Sequence, residues 1–275
     1  MKKEFLLRFI PEIALDVLSL FKNDTKWRGN YASWDDAVKH SLGYDNDAIL
    51  SKVINATKDV IDGKGYFERD SIVFDKPEYS WQLLSALLWI ANQKNKLHLI
   101  DFGGAFGSSY YQNKKFLAEI NDLKWLIVEQ KNFIETGKKH FENETIKFYE
   151  NIDSCLKDYS PSVVLLSSVL QYIDKPYDLI DVIGSTKIEY LIVDLTAITT
   201  EPNDRLTVQK VTPKIYDASY PCWFFNEENL KKSFEKHFHI VEEFNSYIGQ
   251  NMRVGFLKRI NYRGYILKNK HYDNN

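Results

Sequence analysis

The chain has 275 residues, of which 44% are hydrophobic and 27% are charged, and its formal net charge is −2. This composition excludes a disordered chain, and the length suits one α/β core with an extension better than two independent domains. Lysine and arginine are scattered along the chain, which excludes the basic face of a nucleic-acid-binding protein. Cys155 and Cys222 show no metal-ligand spacing, so we expect no metal site and reduced thiols in a cytoplasmic protein.

Residues 1–95 are predicted to form an N-terminal helical extension. Its first segment carries apolar residues at helical spacing, namely Phe5, Leu6, Phe9, Ile10, Ile13 and Val17. Charged residues interrupt this run, which excludes a secretory signal peptide, and the longest apolar stretch, around residues 81–91, is too short to cross a bilayer. We expect the first helix to pack on its own domain or on a partner rather than on a membrane surface.

An aromatic segment follows, which contains Trp27, Tyr31 and Trp34. A short helix is predicted at its end, with Ser33 as the N-cap. These rings either line a saccharide site, where they would contact a sugar or a sulfonium, or form the small core of the extension. The core interpretation is favoured, because most such rings pack. Tyr31 and Trp34 remain candidate substrate-binding residues. Further along the chain, either Ser80 or Tyr79 is placed to begin a strongly apolar helix.

From residue 97 onward, short apolar runs alternate with amphipathic segments. The runs LHLID, WLIVE, IKFYE, VVLLSS and YLIVDL are predicted strands of a parallel sheet, because helical segments separate them into βαβ units. HIVEEF and GYILK have no helix between them, which predicts an antiparallel hairpin at the sheet edge. The predicted fold class is a doubly wound, mostly parallel, seven-stranded Rossmann-like α/β sheet over residues 96–270. Residues 196–225 are predicted to form a lid-like insertion.

The segment LHLIDFGGAFGSSYYQ joins an apolar strand to a helix through a glycine-rich turn. A phosphate-binding P-loop would need a lysine followed by Ser or Thr at the end of the turn, which is absent. A dinucleotide-binding turn would need G-x-G-x-x-G, and the glycine spacing does not match. The pattern D-x-G-x-(G/A)-x-G is fulfilled by Asp101, Gly103, Ala105 and Gly107. An acid at this point suits a ligand that carries an ammonium and a sulfonium but no phosphate.

A second acid lies at the end of the next predicted strand, where WLIVEQ ends in Glu129 and Gln130. A carboxylate in this position can accept both hydroxyl protons of an adenosine ribose. The same acid would serve NAD, so it indicates a nucleoside without naming one. The two acids, in order on successive strands, favour a nucleoside-containing cofactor.

The motifs resemble those of a known enzyme class. The chain is similar to the class I S-adenosylmethionine-dependent methyltransferases, and more closely to a family of bacterial methyltransferases encoded among surface-polysaccharide genes. The resemblance covers residues 27–223 and rests on W-x-G-x-Y-x-S-W, GYD (43–45), YFERDS (66–71), DFGGAFGSSY, WLIVEQ, VVLLSSVLQYI and SYP (219–221). One departure is Ala105, where many members of the class have glycine. The resemblance implies methyl transfer and does not name the acceptor.

The resemblance also implies roles for individual residues. Asp101, Gly103 and Gly107 would hold the methionine part of the cofactor and Glu129 its ribose, while Tyr149, Glu150 or Asn151 would flank the adenine. Gln171 and Tyr172 would face the transferring methyl and are the predicted catalytic residues. The remaining predicted cofactor-binding residues are Gly104, Ala105, Gln130, Ser167, Ser168 and Arg69.

Arg69 belongs to the charged triplet Glu68–Asp70, and it either pairs with the cofactor carboxylate or takes part in an exposed ion-pair cluster. Within the predicted insertion, Arg205 and Tyr220 are candidate acceptor-binding residues. No histidine is found there or at the ends of the central strands. The predicted general base is therefore a carboxylate or a tyrosine, unless alignment of the reactants suffices.

The sequence thus predicts an enzyme that transfers a methyl group from S-adenosylmethionine to an oxygen or nitrogen of a small molecule or glycan. Expected partners are limited to that acceptor, with no nucleic acid and no transmembrane segment. One alternative is an inactive, methyltransferase-like scaffold in a polysaccharide assembly complex. Another is an NAD-dependent oxidoreductase, which the glycine spacing and Asp101 disfavour.

Overall fold

The computed structural model describes residues 27–42, 46–211, 218–254 and 259–273. The predicted first helix and the GYD motif lie outside these residues. The helices are α1 (Trp34–Lys39), α2 (Asn46–Ile61), α3 (Trp81–Lys94), α4 (Ser108–Leu117), α5 (Lys131–His140), α6 (Ile152–Asp158), α7 (Pro176–Gly184) and α8 (Glu227–Phe234). Ser33 and Ser80 cap α1 and α3 as predicted, each accepting a hydrogen bond from a backbone N–H three residues later.

The first seven strands are β1 (Trp27–Arg28), β2 (Phe67–Arg69), β3 (Ile72–Phe74), β4 (Leu97–Phe102), β5 (Leu123–Val128), β6 (Ile146–Tyr149) and β7 (Val163–Ser167). The others are β8 (Tyr190–Thr199), β9 (Arg205–Lys210), β10 (Ser219–Asn226), β11 (Phe238–Asn245), β12 (Met252–Arg253) and β13 (Arg259–Asn269). β2 and β3 form a separate antiparallel hairpin, so the extension between residues 27 and 95 is not purely helical.

The central strands lie in the order β6-β5-β4-β7-β8-β13-β11. β4 to β8 run parallel, β13 is antiparallel to β8, and β11 is antiparallel to β13. The predicted fold class and the edge hairpin are therefore confirmed. The chain progresses outward from β4 to β6 and then crosses to β7 on the other side of β4. Ligands of doubly wound sheets bind outside the carboxyl ends of the strands at such a switch point.

Helices cover both faces of the sheet. α2, α3, α4 and α5 pack on one face, and α6, α7 and α8 pack on the other. All ten residues of β8 are buried, which explains the continuous apolar character of a strand covered on both sides. In the part of the chain that the structure describes, no helix is long and apolar enough to cross a membrane.

The described part of residues 196–225, predicted as a long lid-like loop, is mostly strand, and a lid-like role of this segment stays a prediction. β8 continues to Thr199, β9 and β10 pair antiparallel, and the end of β10 pairs parallel with the end of β8, Phe225 opposite Ile198. β1 extends this unit by pairing with β9. Buried and exposed positions do not alternate regularly along β9 and β10, and Pro221, which lacks an N–H, is unusual inside a strand, so the sequence disguises both strands. The sheet is consequently larger than the seven predicted strands.

Candidate cofactor and acceptor site

The glycine-rich turn, residues 103–107, leads from the end of β4 to the start of α4. Gly103, Ala105 and Gly107 all have left-handed backbones, with φ angles of 71°, 50° and 96°. The N–H of Gly103 donates to the carbonyl of Val128 at 2.8 Å, which ties the turn to the end of β5. The carboxyl edge of the switch point is thus formed by a tight turn followed directly by a helix N-terminus, the geometry expected for close approach of a ligand to the backbone.

The glycines of the turn are required for two different reasons. A Cβ added at Gly104 would lie 2.4 Å from the buried Asp101 carboxyl group, and one added at Gly103 would lie 2.5 Å from Val169 Cγ2. A Cβ at Gly107 would make only ordinary contacts, the nearest at 3.5 Å from Ile127 Cδ1. At Gly107 the left-handed backbone is therefore the main requirement, whereas Gly103 and Gly104 are required by close packing.

Asp101 lies beneath the turn. Its side chain is almost fully buried and accepts a hydrogen bond from Trp125 Nε1 at 2.7 Å. Burial raises the pKa of Asp101 to about 7, the Trp125 hydrogen bond acts in the opposite direction, and the charge of Glu129 adds to the increase. Asp101 therefore supports the turn from below through Trp125 and Gly104. Its direct contact with a cofactor ammonium stays a prediction.

Glu129, at the end of β5, is joined to the glycine-rich turn. Its Oε1 accepts the N–H of Ala105 at 3.2 Å, and its Oε2 accepts the N–H of Gln130 at 2.8 Å. Burial raises the pKa of Glu129, and both hydrogen bonds oppose this increase. The structure thus brings together the glycine-rich turn that follows β4 and the acid that follows β5, the two features that the sequence predicted on successive strands.

The ends of β6 and β7 contribute to the same edge. Glu150 is exposed there, while the Tyr149 hydroxyl donates to Asp158 on α6 at 3.1 Å. Ser167 is half-buried, and the exposed Ser168 has a left-handed backbone with φ of 56°. Residues 149 and 150 therefore lie on one side of the glycine-rich turn and residues 167 and 168 on the other, all at the same edge of the sheet. The predicted contact of residues 149 and 150 with an adenine stays a prediction.

The predicted catalytic residues are used for packing instead. Tyr172, in a short 3-10 turn over residues 170–172, donates to Gln209 Oε1 at 2.9 Å, and Trp27 Nε1 donates to the same oxygen. Gln171 is fully buried, and its amide donates to the carbonyl of Leu195 at 3.2 Å. Both residues hold the turn against β8, β9 and β10, and their position beside the methyl stays a prediction.

The side chain of Arg69 has several partners within the chain. Its guanidinium donates to Glu78 Oε2 at 3.2 Å and to the hydroxyl of Tyr247 at 3.0 Å, and it lies over the ring of Phe74. Of the two interpretations that the sequence left open, these contacts match the ion-pair cluster. The predicted contact with a cofactor carboxylate is not among them.

Glu68 is the site residue that sequence reasoning missed. Its side chain is buried, and it accepts hydrogen bonds from the hydroxyl of Ser108 and from the N–H of Ser71. Burial raises the pKa of Glu68, and these two hydrogen bonds oppose the increase. Ser108 is the first residue of α4, so the β2–β3 hairpin is fastened to the end of the glycine-rich turn. The YFERDS motif pointed to this hairpin without indicating its partner.

The four candidate acceptor-binding residues lie in the unit formed by β1, β9, β10 and α1. Arg205 donates to the carbonyl of Gly29 at 2.8 Å. Trp34 stacks on Trp223, and Tyr31 packs against the ring of His40. Tyr220 contacts the ring of Tyr172 edge-on at 5.3 Å. The contacts of Tyr31 and Trp34 match the packed-core interpretation, so Tyr220 is the acceptor candidate adjacent to the edge of the sheet.

A buried polar network holds the same edge together. Asp194, on β8, accepts hydrogen bonds from Ser80 Oγ at 3.0 Å, from Ser246 Oγ at 2.6 Å and from the N–H of Leu195 at 2.7 Å. Burial raises the pKa of Asp194, and the three hydrogen bonds oppose the increase. The network links the start of α3, the middle of β8 and the residue that follows β11.

Known proteins offer structural similarity at low sequence identity. No protein-family model and no curated protein matches the sequence. The N-terminal domain of EvdMO1, crystallised with S-adenosylhomocysteine and D-fucose, is 10% identical, with a TM-score of 0.48 over 82% of this chain and 98% of that chain. Magnesium protoporphyrin IX methyltransferase from Synechocystis PCC 6803, with bound S-adenosylhomocysteine, is 12% identical, with a TM-score of 0.47 over 81% and 97%.

The cyclase SpnF is 13% identical, with a TM-score of 0.43 over 80% of this chain and 93% of that chain. A methyltransferase and a cyclase thus both resemble this chain in structure. Because one fold supports unrelated reactions, the function has to be argued from the site itself. Among the described residues, no group of three or more His, Cys, Asp or Glu side chains is arranged to hold a metal ion.

Proposed function

We propose that this protein transfers a methyl group from S-adenosylmethionine to an oxygen or nitrogen of a small molecule or glycan. The observation that carries the proposal is the hydrogen bond between the Glu129 carboxylate and the Ala105 N–H. It joins an acid suited to ribose hydroxyls to a glycine-rich turn at the switch point of a doubly wound sheet. An adenosyl cofactor held there would place its ribose at Glu129 and its methionine part along the turn.

The charge around the turn favours a cationic cofactor over NAD. Asp101 lies beneath the turn, Glu129 bonds to its middle, and Glu68 bonds to the first residue of the following helix. Burial raises the pKa of each of these carboxyl groups. A positive charge bound beside them would favour their ionised form and be attracted to it, whereas a pyrophosphate would disfavour that form. S-adenosylmethionine carries an ammonium and a sulfonium and no phosphate. The carboxyl groups therefore support this cofactor.

The cofactor supplies an electrophilic methyl group on a sulfonium, and the residues of the chain provide binding and alignment. Glu129 would accept the ribose hydroxyls, exchanging its backbone hydrogen bonds for them. Tyr149 and Glu150, at the end of β6, would line the adenine, and Ser167 and Ser168, at the end of β7, would contact the cofactor on the other side of the turn. Holding the acceptor atom, the methyl carbon and the sulfur in line accounts for a large part of such catalysis, about 7 to 11 kcal/mol in favourable cases.

A role in surface-polysaccharide biosynthesis in the cytoplasm is the finer form of this proposal. It is supported by the sequence motifs W-x-G-x-Y-x-S-W and YFERDS, and by the ring of Tyr220 beside the edge of the sheet. Rings of this kind stack on the faces of sugars. A protein that bound the cofactor but transferred no methyl group to any sugar would instead be the inactive scaffold.

Replacement of Glu129 by alanine is expected to weaken binding of S-adenosylhomocysteine by about 1.5 to 3 kcal/mol, the range for hydrogen bonds to a charged group. Isothermal titration calorimetry measures this difference. Glu135→Ala is the matched control, because Glu135 is an exposed glutamate on the neighbouring helix α5. Equal affinities for the two variants, with both folded, would show that the ribose is not held by Glu129.

A further inference from the structure

The carboxyl group of Glu68 is buried among neutral donors. It accepts hydrogen bonds from the hydroxyl of Ser108 and from the N–H of Ser71, and neither donor is charged. The neighbouring cation, Arg69, forms its ion pair with Glu78 instead. Burial disfavours the ionised form of a carboxyl group, and a cation bound beside it offsets this cost. Glu68 is therefore placed to gain from a positively charged ligand group.

A second polar group beside Glu68 lacks a partner. The hydroxyl oxygen of Ser71 is buried and has no hydrogen-bond partner among the described residues. The N–H of the same residue donates to Glu68 at 3.3 Å, so the hydroxyl lies close to the carboxyl group. Buried polar groups are almost always hydrogen-bonded, and an exception needs an explanation such as a ligand atom. The two groups together indicate that a polar part of a ligand binds here.

Glu68 and Glu129 contact the glycine-rich turn at two different points. Glu129 accepts the N–H of Ala105 in the middle of the turn, whereas Glu68 contacts Ser108, the first residue of α4. The chain between these two points spans at most about 10 Å. A cofactor with its ribose at Glu129 and its methionine part along the turn brings the amino-acid end towards Glu68.

Asp101, the other acid at the turn, is closed off by backbone. It is 1% exposed, and Trp125 Nε1 donates to its carboxyl group at 2.7 Å. The backbone of Gly104 lies so close that an added Cβ would be 2.4 Å from the same group. An ammonium could reach Asp101 only by displacing the turn. The Ser108 hydroxyl that contacts Glu68 can instead rotate aside, because it belongs to a side chain.

We propose that Glu68 binds the ammonium of the cofactor's methionine part, which makes the β2–β3 hairpin a specificity-determining part of the cofactor site. This inference rests on the proposed function. Glu68 exchanges its hydrogen bond from Ser108 for one from the ammonium, and a charge-assisted hydrogen bond is the stronger of the two. The same carboxylate disfavours a phosphate at the start of α4, the kind of position where doubly wound folds commonly bind one.

The contact can be isolated with two ligands that differ in one group. The deamino analogue of S-adenosylhomocysteine carries hydrogen in place of the amino group and keeps the adenosine, the sulfur and the carboxylate. The wild-type protein is expected to bind S-adenosylhomocysteine about tenfold or more tighter than this analogue, because only S-adenosylhomocysteine offers an ammonium to Glu68. Calorimetric titration with both ligands measures the ratio of affinities. A merely structural effect of a substitution changes both affinities alike and leaves this ratio unchanged.

The Glu68→Gln variant is expected to reduce the ratio to about one. Asp101→Asn is expected to keep the wild-type ratio, because the turn shields Asp101 from the ligand. Glu189→Gln is the matched control and is also expected to keep the ratio. Glu189 is likewise a buried glutamate, but it directly precedes β8 at the opposite edge of the sheet and pairs with Lys94.

A wild-type ratio near one, or the wild-type ratio retained in folded Glu68→Gln, would overturn the role of Glu68 and leave the proposed function standing. Where Glu68→Gln does not fold, Asp101→Asn decides. A ratio of about one in that variant would assign the ammonium to Asp101 and overturn the role of Glu68, and the wild-type ratio there supports it. Failure of the wild-type protein to bind either ligand would overturn the proposed function itself.

Discussion

The Asp194→Ala variant is expected to lose about 3 to 5 kcal/mol of its free energy of unfolding, an unusually large effect for one side chain. Removal of the carboxyl group leaves the hydroxyls of Ser80 and Ser246 buried without the acceptor of their protons, while the N–H of Leu195 keeps only Ser246 Oγ, at 3.1 Å. Each stranded group costs about 1 to 3 kcal/mol. Since the network joins α3, β8 and the segment after β11, the edge of the sheet that carries the site is also expected to loosen.

Urea denaturation monitored by tryptophan fluorescence measures this loss. Asp194→Asn is the conservative comparison, because an amide oxygen still accepts from Leu195 and Ser246 while the amide nitrogen donates to the Ser80 hydroxyl. Its expected loss is smaller, since burial already disfavours the charged form of Asp194. Asp178→Ala, on the exposed side of α7, controls for the removal of a carboxylate. Equal stability of Asp194→Ala and Asp178→Ala would refute the account of the network.

The Gly104→Ala variant is expected to lose S-adenosylhomocysteine binding by about 100-fold or more, and about 1 to 3 kcal/mol of stability. The added Cβ would lie 2.4 Å from the Asp101 carboxyl group, closer than packed atoms can approach. Asp101 cannot move aside, because it is buried and bonded to Trp125. The turn has to shift instead, and with it the backbone that the proposed cofactor contacts.

Gly63→Ala is the matched control for this variant. Gly63 also has a left-handed backbone, with φ of 76°, but a Cβ there meets nothing within 4 Å. Its substitution adds backbone strain without any close contact and is expected to leave S-adenosylhomocysteine affinity unchanged. Thermal unfolding and calorimetry on both variants separate the two effects. Wild-type affinity in Gly104→Ala would mean that the turn does not hold the cofactor.

The parallel core was predictable from the sequence because its signals are local. β4 to β8 are short apolar runs separated by helical segments, and a strand buried on both faces has little choice of composition. The caps at Ser33 and Ser80 are equally local, since each side chain bonds to a backbone group three residues away. The glycine-rich turn and Glu129 were found for the same reason.

The remaining features depend on partners that are distant in sequence. Tyr172 bonds to Gln209, and Glu68 bonds to Ser108, which lies 40 residues further along the chain. A residue spacing cannot show such pairings, so Tyr172 was placed at the methyl and Glu68 was left unassigned. For Arg69 the sequence left two partners open, a carboxylate of the cofactor and one of the chain, and the structure shows the one in the chain, Glu78.

The glycine-rich turn and Glu129 are proposed to bind the adenosyl cofactor of methyl transfer. The most direct test of this proposal is a calorimetric titration of the wild-type protein with S-adenosylhomocysteine and, in parallel, with NAD. The account predicts saturable binding of S-adenosylhomocysteine and no measurable heat of binding with NAD, because Asp101, Glu129 and Glu68 surround the turn with carboxyl groups. Binding of NAD with no response to S-adenosylhomocysteine would contradict it.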